Sequence, residues 1–166
     1  MNKNIVIIGM PGSGKSTVGY MLSQKMNMDY IDMDKYIETN ENKTIKEMFQ
    51  IGEEYFRDVE TKHTKALSKL NFHVIATGGG IVKRKENIKM LKENCIMIFL
   101  NRPLDNIIRD IDTNIRPLLA DGKNKLYQLY NERFPLYKEY CDIEVINDRE
   151  VSHAVEQITK LVANEI

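Results

Sequence analysis

Short runs of apolar residues alternate along the chain with longer segments in which apolar residues recur at helical spacing. Residues 5–8, Ile-Val-Ile-Ile, form an unbroken β-branched run, which is typical of a strand covered on both faces in a parallel sheet. Similar apolar runs lie at 28–31, 72–76, 94–100 and 143–146. Strands that alternate with helices in this way predict an α/β fold, a three-layer α/β/α sandwich around a mostly parallel sheet of five strands.

The segments between the strand runs have the start and stop signals of helices. Apolar side chains recur at helical spacing in residues 15–26, which predicts an amphipathic helix there. Residues 44–47, Thr-Ile-Lys-Glu, form a capping box and predict a short helix that ends near Gly52. Further helices are predicted at 53–70 and 85–91, from Pro103 onward, through Pro135, and from about Glu150.

Residues 110–124 interrupt this regular alternation. The segment is polar and contains Pro117 and Gly122, both of which favour irregular structure. Its length is typical of a lid over a binding site rather than of a simple connection. We therefore predict a lid at 110–124.

A glycine-rich loop follows the first strand run. Residues 9–17, Gly-Met-Pro-Gly-Ser-Gly-Lys-Ser-Thr, have the P-loop spacing of glycine, four residues and Gly-Lys-Ser, and they lie between a predicted strand and a predicted helix. Backbone N–H groups of such a loop surround phosphate oxygens, and the helix N-terminus adds partial positive charge. Lys15 is expected to reach the β- and γ-phosphates, and Ser16 to bind Mg²⁺. The predicted nucleotide contacts are Gly12, Ser13, Gly14, Lys15, Ser16 and Thr17.

Motifs that are absent narrow the class of nucleotide-binding protein. The chain lacks the Asn-Lys-x-Asp and Asp-x-x-Gly segments of signalling GTPases, which favours ATP. It also lacks the Asp-Gly-Phe-Pro-Arg segment of adenylate kinases, which argues against a mononucleotide as the phosphate acceptor.

Five later segments complete a recognisable pattern. They are Asp32-Met33-Asp34, residues 52–60 (Gly-Glu-Glu-Tyr-Phe-Arg-Asp-Val-Glu), Gly78-Gly79-Gly80, Arg116-Pro117-Leu118-Leu119, and residues 133–137 (Arg-Phe-Pro-Leu-Tyr). Together with the P-loop they resemble shikimate kinases, in order and at similar spacing, from Ile5 to about Val145. The resemblance implies a nucleoside monophosphate kinase-like fold and ATP-dependent phosphorylation of the 3-hydroxyl of shikimate, a step in chorismate and aromatic amino-acid biosynthesis.

The resemblance also implies roles for residues on the acceptor side. Arg57 and Arg133 match the arginines that bind the carboxylate of shikimate, for which a planar guanidinium is well suited. Asp34, which we place at the carboxyl end of the predicted strand at 28–31, would hold the hydroxyls and act as catalytic base. Gly78, Gly79 and Gly80 would let the backbone approach the ring, so the acceptor region covers about 33–60 together with these glycines and Arg133.

Two more roles concern the nucleotide side. Asp32 looks like the carboxylate that supports Mg²⁺ through water, beside Ser16. Arg116 matches the lid arginine that closes over ATP and stabilises the transferred phosphoryl group, and Arg109 is a candidate assistant.

Each acceptor residue also has a purely structural interpretation. Arg57 could pair with Glu53 or Glu60 on a helix surface. Asp34 could cap the helix that follows it, and Gly78–Gly80 could form an ordinary turn. Arg116 and Arg133 could be solvated charges. The common order of all five segments favours the functional interpretation.

Composition restricts the other possibilities. The 166 residues fit one domain, 42% are hydrophobic, and 24 Lys and Arg balance 24 Asp and Glu, so no net charge attracts nucleic acid or a membrane surface. Cys95 and Cys141 lack metal-ligand spacing. We expect a cytoplasmic, monomeric, single-domain protein of residues 1–166, with shikimate and ATP as its small-molecule substrates, Mg²⁺ as cofactor, and no membrane or nucleic-acid partner.

Two alternative functions stay open at this point. One is a kinase for another small polyol acid such as gluconate, whose family motifs we do not find. The other is a nucleotide-binding regulatory module that has lost turnover, against which the intact Lys15, Ser16, Asp34 and Arg116 argue.

Overall fold

The computed structural model describes residues 3–113, 122–163 and 165. Its five strands are β1 (Asn4–Ile8), β2 (Asp29–Asp32), β3 (His73–Ala76), β4 (Cys95–Asn101) and β5 (Ile143–Ile146). The helices of the described residues are α1 (Lys15–Met26), α2 (Met33–Glu41), α3 (Ile45–Ile51), α4 (Glu53–Leu67), α5 (Lys85–Lys92), α6 (Leu104–Thr113), α7 (Gly122–Tyr140) and α8 (Val151–Val162), with a 3₁₀ turn at Ile81–Lys83.

All five strands run parallel, in the order β2-β3-β1-β4-β5. The central strand β1 is completely buried along its length, as its unbroken apolar sequence predicts. The sheet is therefore the predicted five-stranded one, and it is wholly rather than mostly parallel.

Alternate residues of β1 face two different helical layers. Val6 and Ile8 belong to a core that α2 to α7 share, whereas Ile5 and Ile7 belong to a second core with α1 and α8. This division follows from the two-residue period of a strand. It confirms the three-layer sandwich and places most of the helices on the face that also carries the predicted acceptor residues.

The ends of the predicted lid are helical. Helix α6 continues to Thr113 and α7 begins at Gly122, so the prediction of a loop at 110–113 and at 122–124 was wrong. The apolar spacing that starts with the buried Ile107 and Ile108 extends the helix through polar positions. The centre of the predicted lid, residues 114–121 including Arg116, lies outside the described residues.

The second strand ends differently from the prediction. Asp32 is the last residue of β2, and its carboxylate Oδ1 accepts a hydrogen bond from the Lys35 N–H at 3.2 Å, so Asp32 is the N-cap of α2. Asp34 consequently lies in the first turn of α2 and not at the strand end. Capping by Asp32 explains this, because aspartate at a strand end starts a helix readily.

The other helix predictions hold with small shifts at their ends. Thr44 and Glu47 form the predicted capping box of α3, and α7 contains Pro135. No helix among the described residues is both long and apolar enough to cross a membrane.

Candidate active site

The carboxyl ends of three neighbouring strands bring the predicted site segments together. β1 leads into the loop 9–14, β2 ends at Asp32, and β3 leads through Thr77 into Gly78–Gly80. Because β3 lies between β2 and β1 in the sheet, the glycine segment lies between the aspartates and the P-loop. Ligand sites of open parallel sheets occur at this edge.

The P-loop has the backbone geometry that its glycines predict. Gly12 and Gly14 adopt left-handed conformations with φ of 81° and 93°, which other residues rarely adopt. A Cβ on Gly9 would lie 2.6 Å from the Leu100 carbonyl oxygen, so only glycine fits the tight exit from β1. The loop can therefore direct backbone N–H groups toward an anion.

Lys15 begins α1 and folds back over this loop. Its ammonium group donates hydrogen bonds to the carbonyl oxygens of Gly9 at 2.9 Å and Met10 at 2.8 Å. Its side chain is almost completely buried. The positive charge is thus held next to the surface where phosphate oxygens would lie.

Two residues that we did not identify from the sequence donate hydrogen bonds to carbonyl groups of the P-loop. Asn147, just after β5, donates from its side chain to the Ser13 carbonyl at 2.9 Å. Arg102, just after β4, donates to the Gly12 carbonyl at 3.0 Å and pairs with Asp110 of α6 at 2.6 Å. Their places directly after predicted strands were the available signal, because parallel strand ends converge at one edge.

Ser16 and Asp32, the two residues predicted to serve Mg²⁺, lie in direct contact. The Ser16 hydroxyl donates to Asp32 Oδ2 at 2.8 Å, and the Tyr30 hydroxyl donates to the Ser16 carbonyl at 3.0 Å. A hydroxyl and a carboxylate are hard oxygen ligands that fit Mg²⁺, which keeps most of its shell for water and phosphate. Among the residues that the structure describes, no three acidic, His or Cys side chains are grouped closely enough to hold a metal ion by themselves.

Asp34 is a partly buried carboxylate beside the glycine segment. A Cβ placed on Gly78 would lie 3.0 Å from Asp34 Oδ1. Burial raises the pKa of Asp34 above its ordinary value of 3.8, and the negative charge of Asp32 raises it further, while Lys15 and Arg57 act in the opposite direction. A carboxylate whose proton affinity is raised in this way is suited to accept a proton from a hydroxyl.

Arg57 is a buried cation with a buried partner. Its side chain packs against the rings of Phe49 and Phe56, and its Nη1 donates to Glu60 Oε1 at 2.7 Å. Arg57 is 5% exposed and Glu60 is 1% exposed. The predicted alternative of an ion pair with Glu60 is therefore real, but the pair is in the interior and not on the surface.

Arg133 of α7 is the second buried cation, at 8% exposure. The Nε atoms of Arg57 and of Arg133 are both buried without a hydrogen-bond partner among the described residues. Burying a donor without a partner is costly. Such donors in two neighbouring arginines indicate a place prepared for an anion.

Charged side chains lie close to each of the three glycines. A Cβ added to Gly78 would meet Asp34, one added to Gly80 would meet the Arg57 guanidinium, and one added to Gly79 would meet the Pro11 ring at 2.8 Å and Arg133 Nη1 at 3.3 Å. The segment does form a hydrogen-bonded turn, with the Ile81 N–H donating to the Gly78 carbonyl at 3.3 Å, and side chains at its glycine positions would also occupy space now held by neighbouring side chains. The structure thus brings together six residues of the predicted acceptor site: Asp34, Arg57, Gly78, Gly79, Gly80 and Arg133.

Tyr137 fixes this glycine segment from α7, one turn after Arg133. Its hydroxyl donates to the Gly79 carbonyl at 2.6 Å, and its ring stacks on Phe99 of β4 with 5.2 Å between centroids. Burial raises the pKa of Tyr137 to about 12, so the hydroxyl stays a donor. The sequence placed Tyr137 in a motif without a role, because the hydrogen bond spans distant segments.

The remaining predicted residues are the two arginines of the lid region. Arg109 lies on α6 and donates to Asn106 Oδ1 at 2.6 Å. Arg116 lies outside the described residues. The described part of the site therefore has a phosphate-binding loop on one side, two buried arginines on the other, and a carboxylate of raised pKa between them.

Known proteins resemble this chain over nearly its whole length. The shikimate kinase family model matches residues 11–163. A shikimate kinase of Clostridium beijerinckii is 45% identical over 166 residues, which cover 100% of this chain and 98% of that protein. A solved structure of shikimate kinase from Acinetobacter baumannii in complex with shikimate has a TM-score of 0.89 at 30% identity, covering 99% of this chain and 95% of the other. A gluconokinase from Sinorhizobium meliloti, 14% identical with a TM-score of 0.61 over 98% and 95% of the two chains, shares the fold alone.

Proposed function

This chain belongs to the shikimate kinase family, and on that basis we propose how its own residues divide the work of the reaction. The protein is a P-loop kinase that transfers the γ-phosphoryl group of ATP to the 3-hydroxyl of shikimate, giving shikimate 3-phosphate and ADP in aromatic amino-acid biosynthesis. The donor side, the acceptor side and the lid each have a separate role in this transfer.

On the donor side, Gly12 to Thr17 bind the phosphates of ATP through backbone N–H groups and the start of α1. Lys15 stabilises the charge that spreads over the transferred group, since its ammonium is already held at the loop. Ser16 and Asp32 would hold Mg²⁺ beside the phosphates. When bound, this ion neutralises charge on the phosphate oxygens.

On the acceptor side, Arg57 and Arg133 bind the carboxylate of shikimate. The support is their burial, their Nε donors, which make no hydrogen bond within the described residues, and their common contact with the glycine segment. Fixing one end of the ring in this way would present a hydroxyl to Asp34, which accepts its proton as the oxygen attacks the γ-phosphorus.

The lid assignment depends on the family resemblance and on position. We propose that residues 110–124 cover the bound nucleotide and that Arg116 contacts the transferred phosphoryl group, with Arg109 nearby on α6. Such closure would exclude water and thereby limit hydrolysis of ATP.

We also propose that the protein acts as a monomer in the cytoplasm, with no nucleic-acid or membrane partner. Its two cysteines are free, as is usual in a reducing compartment. The formal net charge of zero provides no attraction for polyanions. Analytical sedimentation of the purified protein would test whether it is a monomer in solution.

One observation carries the division of roles: three consecutive glycines lie against Asp34, Arg133 and Arg57. The test is ADP release by purified protein with ATP and Mg²⁺, and with shikimate, gluconate, a nucleoside monophosphate or no acceptor. Release that depends on shikimate alone supports the assignment. Release with gluconate would overturn the acceptor site, and ATP binding without shikimate-dependent release would favour a regulatory module.

A further inference from the structure

Lys83 connects two acidic residues at the rim of the predicted carboxylate site. It ends the 3₁₀ turn that follows the glycine segment. Its ammonium Nζ lies 2.6 Å from Glu53 Oε1 and 3.7 Å from Glu132 Oε1. Glu53 precedes Arg57 by one helical turn in α4, and Glu132 directly precedes Arg133 in α7. Each acid therefore belongs to the surroundings of one of the two arginines.

Glu53 is close enough to Arg57 to compete with a substrate for it. Besides its bond with Lys83, Glu53 Oε1 lies 3.6 Å from Arg57 Nε. The hydrogen bond and charge of Lys83 hold the pKa of Glu53 below its ordinary value, and Arg57 and Arg133 lower it further. The carboxylate is thus ionised and lies in the fields of both arginines.

Two half-exposed carboxylates at the entrance of an anion site oppose the approach of an anion. Like charges facing each other weaken binding, and surface charges near a site also change the rate of encounter. A single cation between Glu53 and Glu132 would cancel part of this repulsion. The Glu53 oxygen that Lys83 binds is the one that lies 3.6 Å from Arg57 Nε, so pairing with Lys83 would weaken its attraction for Arg57.

We propose that Lys83 is a positioning residue for carboxylate-bearing acceptors, which restrains Glu53 and Glu132 so that Arg57 and Arg133 stay available to the substrate. This inference depends on the proposed role of the two arginines. Lys83 itself need not touch the acceptor. It sets the affinity of the site for anionic acceptors without taking part in phosphoryl transfer.

The next residue provides a matched control. Arg84 has the same charge, follows the same turn and also pairs with acids, at 2.9 Å to Glu54 and 2.8 Å to Asp58. Its partners are strongly exposed residues on the outer side of α4. If Lys83 acts only by joining the turn to α4, Lys83→Gln and Arg84→Gln should have similar effects.

The experiment measures kcat and the KM for shikimate and for ATP in four variants. Lys83→Gln is expected to raise the shikimate KM about fivefold, as loss of a partly exposed ion pair allows. Its kcat and ATP KM should stay unchanged. Lys83→Arg should retain the parent values, and Arg84→Gln should leave the shikimate KM as it is. In the double variant Glu53→Gln with Lys83→Gln, the shikimate KM should return most of the way to the parent value.

Salt provides a second readout that a structural role would not change. Salt screens half-exposed charges. The difference between the shikimate KM of Lys83→Gln and that of the parent enzyme should therefore shrink as ionic strength rises from about 0.02 to 0.5 M. An excess that does not depend on salt would overturn the electrostatic argument.

Arg57→Ala in the same series separates the two proposals. If Arg57→Ala raises the shikimate KM and Lys83→Gln does not, the inference about Lys83 fails and the proposed site stands. If neither variant raises it, the carboxylate site itself is wrong. A rise in Lys83→Gln that Glu53→Gln fails to reverse would overturn the role of Lys83 in restraining Glu53.

Discussion

The two sides of the active site are constructed in different ways. The phosphate-binding loop of the donor side comes from nine consecutive residues, and its contacts use backbone groups, such as the Gly9 and Met10 carbonyls that hold Lys15. The acceptor side comes from four separate segments and uses buried charged side chains, including Arg57 with Glu60. Changes on the donor side should therefore affect the rate of transfer, and changes on the acceptor side should affect shikimate affinity and stability together.

The largest effect should come from the donor side. For Lys15→Met we expect kcat to fall about a thousandfold, because a cation held at the transferring phosphoryl group is lost. The free energy of unfolding should change little, since the loop is also held by Asn147 and Arg102. Lys25→Met, at the exposed end of the same helix, is the control. A Lys15→Met enzyme with nearly normal turnover would remove the P-loop lysine from the mechanism.

Asp34 lies between the two sides and should affect the rate with no loss of stability. Asp34→Asn should lower kcat about a hundredfold or more, as removal of a general base does. Because the pKa of Asp34 is raised in the folded protein, its charge costs stability above that pKa, and this cost disappears as the pH falls through it. The variant should thus be at least as stable as the parent at pH 7, as measured by thermal unfolding.

The same shift predicts the acid side of the pH profile. Asp34 must be ionised to accept a proton, so kcat/KM should fall on acidification at a pH above the ordinary aspartate value of 3.8. If kcat/KM falls only at or below pH 3.8, this carboxylate does not act as the base. Asp29→Asn, an exposed change on the preceding strand, should leave the profile unchanged.

Arg57 tests the acceptor side directly. Arg57→Ala should raise the shikimate KM about a hundredfold with little change in the ATP KM, because in the proposed site Arg57 binds the acceptor and not the nucleotide. It should also lower the free energy of unfolding by about 3 kcal/mol, since Glu60 stays buried without its partner. Arg84→Ala removes a more exposed ion-pair network and should cost less than about 1 kcal/mol. Equal losses of shikimate and ATP affinity would reject the division into two sides.

A smaller effect should follow from filling space on the acceptor side. The Cβ of Gly80→Ala would overlap the Arg57 guanidinium, which is the movable end of a long side chain. Gly80 has an ordinary φ of −91°, so the backbone tolerates the change. We expect the fold to persist and the shikimate KM to rise about tenfold as the guanidinium moves. At Gly52 no described atom lies within 4 Å of an added Cβ, so Gly52→Ala should leave this KM unchanged.

The local sequence was sufficient to predict most of the fold. The strand at 143–146 and the capping box at Thr44 were predicted where they occur, because apolar runs and caps depend on near neighbours. The extension of α6 to Thr113 was missed, since polar residues and a following proline concealed helical spacing. Asp34 was assigned to the strand end because the capping role of Asp32 became visible only in three dimensions.

The same distinction applies to the site. The P-loop could be identified because all its parts are contiguous. The burial of Arg57 with Glu60 could not be predicted. Two residues three positions apart on a helix have the same spacing whether that face of the helix lies on the surface or in the core. Arg102 and Asn147 were also missed, since single polar residues after strands acquire meaning only from the order of the strands in the sheet.

The position of β1 has a consequence for how the protein matures. Ile5 pairs with Val74 on one side and with Ile96 on the other, so the first strand has no partner from the residues that follow it directly. Non-local pairing of this kind slows folding. The ATP-binding loop begins at the end of β1, yet its carbonyl groups are held by Arg102 and Asn147, which lie about 90 and 134 residues later in the chain. On the ribosome, a nascent chain would therefore expose the complete P-loop sequence long before the two side chains that hold the loop had been synthesised.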